Sequence, residues 1–426
     1  KDYLFLNVTG RQDWFSTLDG KSVLYPSASL SWIFSDTFNM PKWMTFGKLR
    51  LSLAQVGGGV DSPYQTSLSY SLLGGGYQGQ PAGYISQSTV PNTDLKPYKS
   101  TEYELGYDVR LFNNRLGIDF TYYSKKTEND ILSATISKAS GYSSARVNVG
   151  EISNKGVELL INSTLINRRD FRWSISFNFA YNKNEVIRLA EDIQTLTMAE
   201  SRTQSAYLAN IVGHSYSQIY GYKFKTNGQG VRVYDSTGRP IRTTELYPLG
   251  SGISPTTIGL NNSFIYKDFY LDFLIDMKAG GHIYAASDAY GYTRGFHKNT
   301  LIGRESGMDV SGVDEQGNPF SYHIAPENIR TYYARLYQIT EEFVQDASFI
   351  KMRQLVLGYN FPSRLLSETP FTGVNVSLVG RNLFLLWRKT TNIDPESNFI
   401  AGNAQGLEGF GVPSTRSFGI NLSVKF

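Results

Sequence analysis

Apolar and polar side chains alternate with a period of two along many stretches of the chain. Tyr103, Leu105 and Tyr107, for example, alternate with Glu102 and Glu104. Successive side chains of a β-strand point to opposite faces, so the pattern predicts strands with one apolar face and one polar face. Twelve such strands are predicted, near residues 3–13, 24–35, 48–55, 100–111, 115–126, 150–166, 171–186, 256–267, 268–279, 347–361, 372–382 and 414–426.

A soluble β-sandwich is the main alternative, because its sheets also have one core face and one solvent face. Strand length argues against it. Sandwich strands are usually about 5–6 residues long, whereas the longer alternations here cover about 9–13 residues, enough for a tilted strand to cross a bilayer. The pattern therefore favours a transmembrane antiparallel β-barrel.

The connections between the predicted strands alternate strictly between short and long. Short turns are predicted at Phe112–Arg115, Asn167–Asp170, Tyr266–Asp268 and Pro362–Thr372, with a somewhat longer link over Asp36–Gly47. Long connections are predicted at Val56–Tyr98, Thr127–Gly150, Ile187–Pro255, Gly280–Asp346 and Leu383–Pro413. Bacterial outer-membrane barrels have short periplasmic turns and long extracellular loops. On that basis the last strand runs inward and Phe426 ends at the periplasmic rim.

Composition narrows the class by exclusion. The chain has 426 residues, no cysteine, 14% aromatic and 18% charged residues, and a net charge of +4. Without cysteine there is no disulfide scaffold and no thiol nucleophile. No apolar run approaches the ~18 residues of a membrane-spanning helix. A charge this dilute does not indicate a nucleic-acid partner.

Motifs for catalysis or metal binding are weak. The four histidines (His214, His282, His297 and His323) are isolated in loops, without metal-ligand spacing. A catalytic triad leaves no spacing signature, and nothing points to one. The stretch Asp309–Asn318 lacks the ligand spacing of an EF-hand and reads as a solvated turn. We therefore predict no enzyme, no metal and no cofactor.

Two further features bear on function. The chain ends in an aromatic residue preceded by apolar residues at every second position, which is typical of a barrel-assembly signal: Phe418, Ile420, Leu422, Val424 and Phe426. Aromatic residues in the long connections suit contacts with sugars or peptides. The candidates are Tyr64, Tyr77, Tyr84, Tyr142, Tyr290, Tyr292, Phe296, Tyr332 and Tyr333. Packing of the loops against one another is the alternative for each ring.

An ordered set of motifs resembles the SusC-like (RagA-like) TonB-dependent transporters of the Bacteroidetes outer membrane. The matching segments are Gly47–Ser52, Asn92–Pro97 with Glu102–Gly106, Asn148–Glu158, Ile219–Tyr222, Phe349–Arg353, Gly380–Phe384, Asp394–Glu396 and the terminal strand. Departures occur at Tyr98, where the family usually has Glu, and at Ala54–Gly59. They bear on the subfamily more than on function.

The resemblance implies a 22-stranded barrel with a plug domain and a TonB box. Residues 1–426 match only about the last twelve strands, so the chain is expected to be the C-terminal portion of a larger barrel. The implied activity is TonB-energised import of oligosaccharides or oligopeptides, with a SusD-like lipoprotein as a lid. The polar face would then line the lumen, with Glu102, Glu104, Asp108, Arg110, Asp272 and Asp276 on it.

The substrate class is left open, since glycan and peptide importers share these scaffold motifs. A self-contained twelve-stranded outer-membrane pore or hydrolase is the alternative function. It would need a Ser–His or Asp–His pair on neighbouring strands at the outer rim to act as an enzyme.

Overall fold

The computed structural model describes residues 2–60, 62–189, 193–398 and 405–426. Strands dominate it. They are β1 (Leu4–Phe15), β2 (Lys21–Trp32), β3 (Met44–Gly58), β4 (Ser71–Leu72), β5 (Gly83–Tyr84), β6 (Thr89–Val90), β7 (Tyr98–Leu111), β8 (Leu116–Thr135), β9 (Ser144–Asn167), β10 (Phe171–Arg188), β11 (Thr195–Glu200), β12 (Ala206–Ile211), β13 (Gln218–Gly221), β14 (Tyr247–Ser251), β15 (Thr256–Tyr266), β16 (Phe269–Ala279), β17 (His282–Ala285), β18 (Met308–Val313), β19 (Pro319–Ile324), β20 (Val344–Asp346), β21 (Phe349–Phe361), β22 (Gly373–Arg388), β23 (Leu407–Glu408) and β24 (Ser417–Lys425).

Three α-helices lie between them: α1 (Ala286–Arg294), α2 (Ile329–Leu336) and α3 (Ser363–Leu366). Short 3-10 helices cover Ser16–Leu18, Phe34–Asp36, Lys138–Ser140, Lys298–Leu301, Pro326–Asn328 and Thr340–Phe343. Among the described residues, no helix has both the length and the apolar character needed to cross a membrane.

One large antiparallel sheet, which we call the wall, forms the scaffold. Its strand order is β1-β2-β3-β7-β8-β9-β10-β15-β16-β21-β22-β24, so every strand pairs with its neighbours along the chain. The short strand β6 adds a parallel bridge to β9. These twelve strands confirm the predicted barrel architecture. Within the described residues β1 and β24 are the edges of the wall and do not pair with each other.

The two faces of the wall differ as the alternation predicts. Large apolar side chains on one face are exposed, with Leu6 at 71%, Val8 at 68% and Ile420 at 76%. A contiguous apolar surface of this kind is not left to water in a stable protein, and it suits contact with lipid. The opposite face carries polar and charged side chains that are mostly half-buried.

The predicted short turns are confirmed at one edge of the wall, which we call the short-turn edge. Strands β15 and β16 are joined by two residues, of which Lys267 has a φ of 53°. Asn113 and Asn114, between β7 and β8, also have positive φ, a conformation that asparagine tolerates better than most residues. The two longest links on this edge, residues 33–43 and 362–372, are equal in length, and the second contains α3.

The opposite edge, the long-loop edge, corrects one prediction. Residues 127–150 are not a long loop, because β8 continues to Thr135 and β9 begins at Ser144. The connection after β1 is also short, at residues 16–20, so turn lengths do not alternate strictly. The extended part of this hairpin is polar on both faces near Glu128. A strand that leaves the bilayer meets water on both sides and loses the alternation by which it is recognised.

Two of the sequence motifs meet beside this hairpin. The Asn148 side chain donates to the Lys96 carbonyl oxygen and accepts from the Lys96 amide, each over 2.8 Å. The Asn92 side chain donates to the Arg146 carbonyl oxygen over 2.9 Å. Leu95 between them is fully buried. The motif at Asn92–Pro97 therefore fastens the end of a long connection to β9.

The remaining long connections form a second layer, which we call the loop body. It comprises residues 193–251, 282–346 and 405–408, with β11–β14, β17–β20, β23, α1 and α2. Its core includes Tyr284, Ile324, Ile339, Phe343 and Leu407. Inside this layer Gln218–Gly221 forms β13, while residues 232–234 form isolated bridges.

Candidate functional site

One group of polar side chains lies on three neighbouring wall strands, on the polar face. We call Glu102, Glu104, Tyr123, Lys125 and Glu158 the carboxylate strip. The register places Glu104 opposite Tyr123 and Glu102 opposite Lys125, across β7 and β8. Glu158 of β9 lies opposite Thr121, so Tyr123 has a glutamate on each neighbouring strand, one directly opposite and one diagonal to it. Directly paired side chains of an antiparallel sheet share one face.

Within the described residues, no cation lies within 4 Å of the carboxylates of Glu102, Glu104 or Glu158. Arg50, which also faces this side, is bound bidentately to Asp119 at 2.7 and 3.1 Å. The Glu102, Glu104 and Glu158 side chains line a cavity of about 410 Å³. Carboxylates left without a partner inside a cavity are available to a ligand.

An asparagine pair continues the same face toward the loop body. Asn182 of β10 donates to the Asn154 side-chain oxygen over 3.1 Å. The buried Asn182 Oδ1 has no hydrogen-bond partner among the described residues. Asn184 accepts from the Tyr216 amide over 2.7 Å, which fastens the loop body to the polar face. A second cavity of about 490 Å³ shares Lys125, Asn154 and Asn182 with the first.

Gly156 explains how Tyr123 fits on the wall. A Cβ at this position would lie 2.5 Å from the Tyr123 hydroxyl oxygen. Gly156 is directly opposite Tyr123 in the register of β8 and β9. A side chain here would push the tyrosine ring away, so the glycine within the Asn148–Glu158 motif makes room for the ring over the backbone of β9.

A second group of charges, on β16, on β21 and in the connection between β22 and β24, is arranged differently. We call Asp276, Lys351, Arg353, Asp394 and Glu396 the paired cluster. Lys351 is only 2% exposed, and its Nζ lies 2.6 Å from Glu396 and 3.8 Å from Asp394. Arg353 binds Glu396 at 2.9 and 3.0 Å and also binds Asp276. Every charge of the paired cluster has an opposite charge beside it.

Ser414 completes the paired cluster. Its hydroxyl donates to Asp394 over 2.5 Å and its backbone amide over 2.9 Å, and it also accepts from Lys351. Burial raises the pKa of Asp394, but hydrogen bonds from Ser414 and from the Glu396 amide, together with the charge of Lys351, outweigh burial, so the pKa lies below its ordinary value. Burial also acts to raise the pKa of Glu396, but Arg353 and Lys351 hold it below its ordinary value. The cluster therefore holds both carboxylates ionised.

The aromatic candidates separate into two sets. Tyr292, Tyr332 and Tyr333 are buried in the core of the loop body, so their rings pack the loops together. Burial raises the pKa of Tyr292 and of Tyr332 to about 12. Tyr290 contacts Tyr337 and Phe410, with ring centroids 5.4 and 5.0 Å apart. These rings follow the packing alternative.

The other aromatic candidates face outward or lie at the hairpin tip. Tyr77 is 70% exposed and Phe296 88%. Tyr64 and Tyr84 are also exposed. Tyr64, Tyr77 and Tyr84 lie in the connection between β3 and β7, whereas Phe296 follows α1. Tyr142 is half-buried in the turn between β8 and β9. No contact among the described residues brings these rings into one site.

The six charged residues that were predicted to line the lumen have different neighbours on the wall. Asp108 and Arg110 line a cavity of about 560 Å³ near the short-turn edge, and Asp108 also lies 3.7 Å from Lys48. Asp272 lies opposite Ser263 of β15 on the same face as Asp276. Glu102 and Glu104 belong to the carboxylate strip, and Asp276 belongs to the paired cluster.

The terminal strand β24 is the exposed edge of the wall. Phe418, Ile420, Leu422 and Phe426 are exposed, Val424 is half-buried, and the Phe426 ring packs against Phe371 with centroids 5.4 Å apart. The apolar side chains of this strand are exposed at alternate positions. Its recognition as an assembly signal stays a prediction.

The histidines lie apart from one another. His297 is buried, with its Nε2 3.6 Å from Asp288, and burial lowers the pKa of His297 and raises that of Asp288. His323 pairs with exposed Asp309 at 2.7 Å. Asp314 caps its own turn by accepting from the amides of residues 316 and 318. Within the described part of the chain, no three His, Asp or Glu side chains are grouped to hold a metal ion.

Sequence reasoning missed Tyr123, Lys125 and Glu158 as site residues. Their signal lay in the register: Tyr123 and Lys125 fall opposite Glu104 and Glu102, and Glu158 falls opposite Thr121, two residues before Tyr123. It also missed that Lys351, Arg353 and Glu396, which lie in separate motifs, form one cluster. Nothing in their spacing indicates that contact.

A wall of twelve antiparallel strands with one apolar face and one polar face, joined to a folded layer of loops, has the architecture of a bacterial outer-membrane β-barrel. The chain belongs to the family described as TonB dependent receptor-like, beta-barrel, whose model matches residues 1–264. It is 28% identical to the TonB-dependent receptor P3 of Formosa agariphila, over all of this chain and 44% of that protein. It is 24% identical to the TonB-dependent receptor SusC of Bacteroides thetaiotaomicron, over all of this chain and 42% of that protein.

Solved structures agree on the fold. The RagAB peptide transporter matches all of this chain and 46% of the compared chain, with a TM-score of 0.76 at 19% identity. The RagAB peptide importer in its closed-closed state gives a TM-score of 0.77 at 18% identity. The chain therefore spans less than half the length of the relatives it matches. The SusC-like resemblance of the motifs is confirmed at this level.

Proposed function

We propose that this chain is part of a TonB-energised importer that carries oligosaccharides or oligopeptides across the bacterial outer membrane. The observation that carries the proposal is the loop body, which is fastened to the polar face of a wall whose other face is apolar. Cavities of several hundred Å³ lie on that polar face beside the loop body. A polar compartment covered by folded loops suits a nutrient larger than a simple ion.

The remaining parts of the machine lie outside residues 1–426 in this proposal. The chain is the C-terminal portion of a larger barrel, and a plug domain with a TonB box belongs to the same transporter. A SusD-like lipoprotein acts as the lid over the long-loop edge. The short-turn edge faces the periplasm, with the C-terminus on that side. Matches to SusC and RagAB support these assignments.

The substrate faces the polar side of the wall. In this proposal Glu102, Glu104, Asp108, Arg110, Asp272 and Asp276 line the lumen, while Tyr64, Tyr77, Tyr84 and Phe296 are exposed at the surface, where a lid or substrate can reach them. The rings buried in the loop body hold its shape.

An uptake assay tests the proposal. Cells with the complete transporter are compared with cells that lack it and with cells that lack TonB, using labelled oligopeptides and labelled oligosaccharides. We expect uptake of one of these classes to require both the transporter and TonB. Uptake that persists without TonB would contradict energised import.

A self-contained twelve-stranded pore or a hydrolase is less well supported. A closed pore of this chain alone requires pairing of β1 with β24, and the described residues show β1 paired only with β2 and β24 only with β22. A hydrolase requires a His beside a nucleophile on the rim. His297, the one histidine buried in the loop body, is in contact with Asp288 and hydrogen-bonded to the Asn299 amide. Incubating the purified transporter with substrate and finding no cleavage products would separate import from hydrolysis.

A further inference from the structure

The carboxylate strip differs from other acidic positions on the same face of the wall. Asp119 is paired with Arg50, Asp276 with Arg353, and Asp108 lies 3.7 Å from Lys48. Glu104 and Glu158 have no cation within 4 Å among the described residues. With Glu102 and Lys125 included, the strip carries three negative charges and one positive charge. Among the described residues the strip therefore carries a net negative charge, since Arg50, which interacts electrostatically with Glu104, is bound to Asp119.

The ring between these carboxylates adds a second feature of cation recognition. Tyr123 lies directly opposite Glu104, with Glu158 diagonal to it on the other neighbouring strand. An ammonium or guanidinium group is attracted to the face of a tyrosine ring, and carboxylates beside the ring add charge-assisted hydrogen bonds. The cavity of about 410 Å³ admits a side chain of this size.

We propose that the carboxylate strip is a subsite for a positively charged group of an imported peptide, namely a lysine or arginine side chain or the N-terminal amine. The inference rests on the proposed import function and gives its substrate class. Glu104 and Glu158 bind the cation from both sides of Tyr123. Asn154 and Asn182, at the end of the cavity nearer the loop body, supply amide groups for the adjoining peptide backbone. Asn182 Oδ1 is an acceptor without a partner among the described residues.

A neutral glycan is the competing ligand, because tyrosine and carboxylates also bind sugars. Sugar hydroxyl groups gain hydrogen bonds but leave the net negative charge of the strip uncompensated. An ammonium or guanidinium group both donates hydrogen bonds to the carboxylates and neutralises their charge, which favours the peptide. Anionic ligands are disfavoured in either case.

The test uses the complete transporter with its lid, purified in detergent. Three peptides of one length and sequence differ only in carrying Lys, Gln or Glu at one central position, and their binding is measured by calorimetry. We expect the Lys peptide to bind about 3- to 10-fold more tightly than the Gln peptide, as partly exposed ion pairs provide, and the Glu peptide most weakly. In the E104Q/E158Q variant the Lys-to-Gln ratio should fall close to one.

Asp268→Asn is the control, since it removes a carboxylate from the short turn between β15 and β16, at the short-turn edge of the wall. It should leave the Lys-to-Gln ratio unchanged. An E104Q/E158Q variant that keeps the full ratio, or that loses Lys and Gln peptides equally, would overturn the proposal. Tighter binding of a neutral oligosaccharide than of any peptide would also overturn it, while TonB-dependent uptake of that sugar would leave the proposed import intact.

A second measurement covers the case in which the double variant fails to assemble. In the unaltered transporter, added sodium chloride should weaken binding of the Lys peptide and leave the Gln peptide nearly unaffected. Equal salt dependence of the two peptides would count against an ionic subsite. If cells with the unaltered transporter took up neither oligopeptides nor oligosaccharides, the proposed function itself would be contradicted.

Discussion

The paired cluster and the carboxylate strip lie on the same face of one wall, yet they treat charge in opposite ways. In the paired cluster, Lys351 and Arg353 are surrounded by Asp276, Asp394 and Glu396, and the segment before β24 covers them. In the carboxylate strip the glutamates face a cavity. Buried charges that are fully paired hold a segment in one place, whereas charges without a partner are free to bind something else. The first region is organised for structure, and in our proposal the second is organised for contact with a ligand.

The largest effect is expected when the paired cluster loses its buried cation. Lys351→Met leaves Asp394 and Glu396 with an uncompensated buried charge, which typically costs about 3–5 kcal/mol in the free energy of unfolding. Denaturant titration of the complete transporter, monitored by protease cleavage near Asp394, measures this loss of stability. Lys125→Met in the carboxylate strip is the matched control and should change stability by less than about 0.5 kcal/mol. Equal losses in the two variants would remove the distinction between the regions.

A conservative substitution in the paired cluster should also lower the stability of the protein. Arg353→Lys keeps the charge but cannot hold Asp276 and Glu396 at once with the planar geometry of a guanidinium, so we expect a loss of about 1–3 kcal/mol. The same denaturant titration applies. Arg110→Lys, on the polar face and outside any ion pair among the described residues, provides the comparison and should be nearly neutral. A neutral Arg353→Lys would mean that the bidentate contacts contribute little.

Acid should loosen the paired cluster. The pKa of Asp394 and of Glu396 is lower in the folded protein than in the unfolded chain. Their contribution to stability is therefore present above the ordinary pKa of a carboxyl group and is lost as the pH falls through the lower folded values. Protease cleavage near Asp394 should increase as the pH falls below about 4. The Lys351→Met variant should show less of this pH dependence, and an unchanged profile would locate the acid effect elsewhere.

The smallest change is expected from neutralising the carboxylate strip. Glu158→Gln removes a charge that has no partner in the protein, so stability should change by less than about 0.5 kcal/mol. Glu396→Gln, the same substitution in the paired cluster, leaves Lys351 and Arg353 with less negative charge and should cost more than Glu158→Gln. Melting curves of the two variants give the comparison directly. A large loss for Glu158→Gln would assign it a structural role.

The wall could be predicted from the sequence because lipid on one side and polar surroundings on the other impose a period of two on every spanning strand. The signal ends where that contrast ends, as it does near Glu128. The extended part of the β8–β9 hairpin was therefore not predicted. The two regions of charge were harder to predict. Glu104 was expected on the lumen side, but its neighbour Glu158 depends on the register of three strands.

The loop body could not be predicted from periodicity. Its core joins Tyr284, Ile324 and Leu407, which come from three separate connections. Contacts of this kind depend on the folded wall, which brings the ends of the connections together. For the same reason Lys351 and Glu396, 45 residues apart, appeared as two unrelated motifs.

The long hairpin of β8 and β9 gives experimental access to the molecule. Its strands have 20 and 24 residues, about twice the ~9–11 that cross a bilayer, so its tip at residues 136–143 stands well beyond the lipid. A short epitope inserted at Ser140 would therefore be displayed away from both charge regions. Antibody labelling of intact cells at that epitope would report directly which edge of the wall faces the outside.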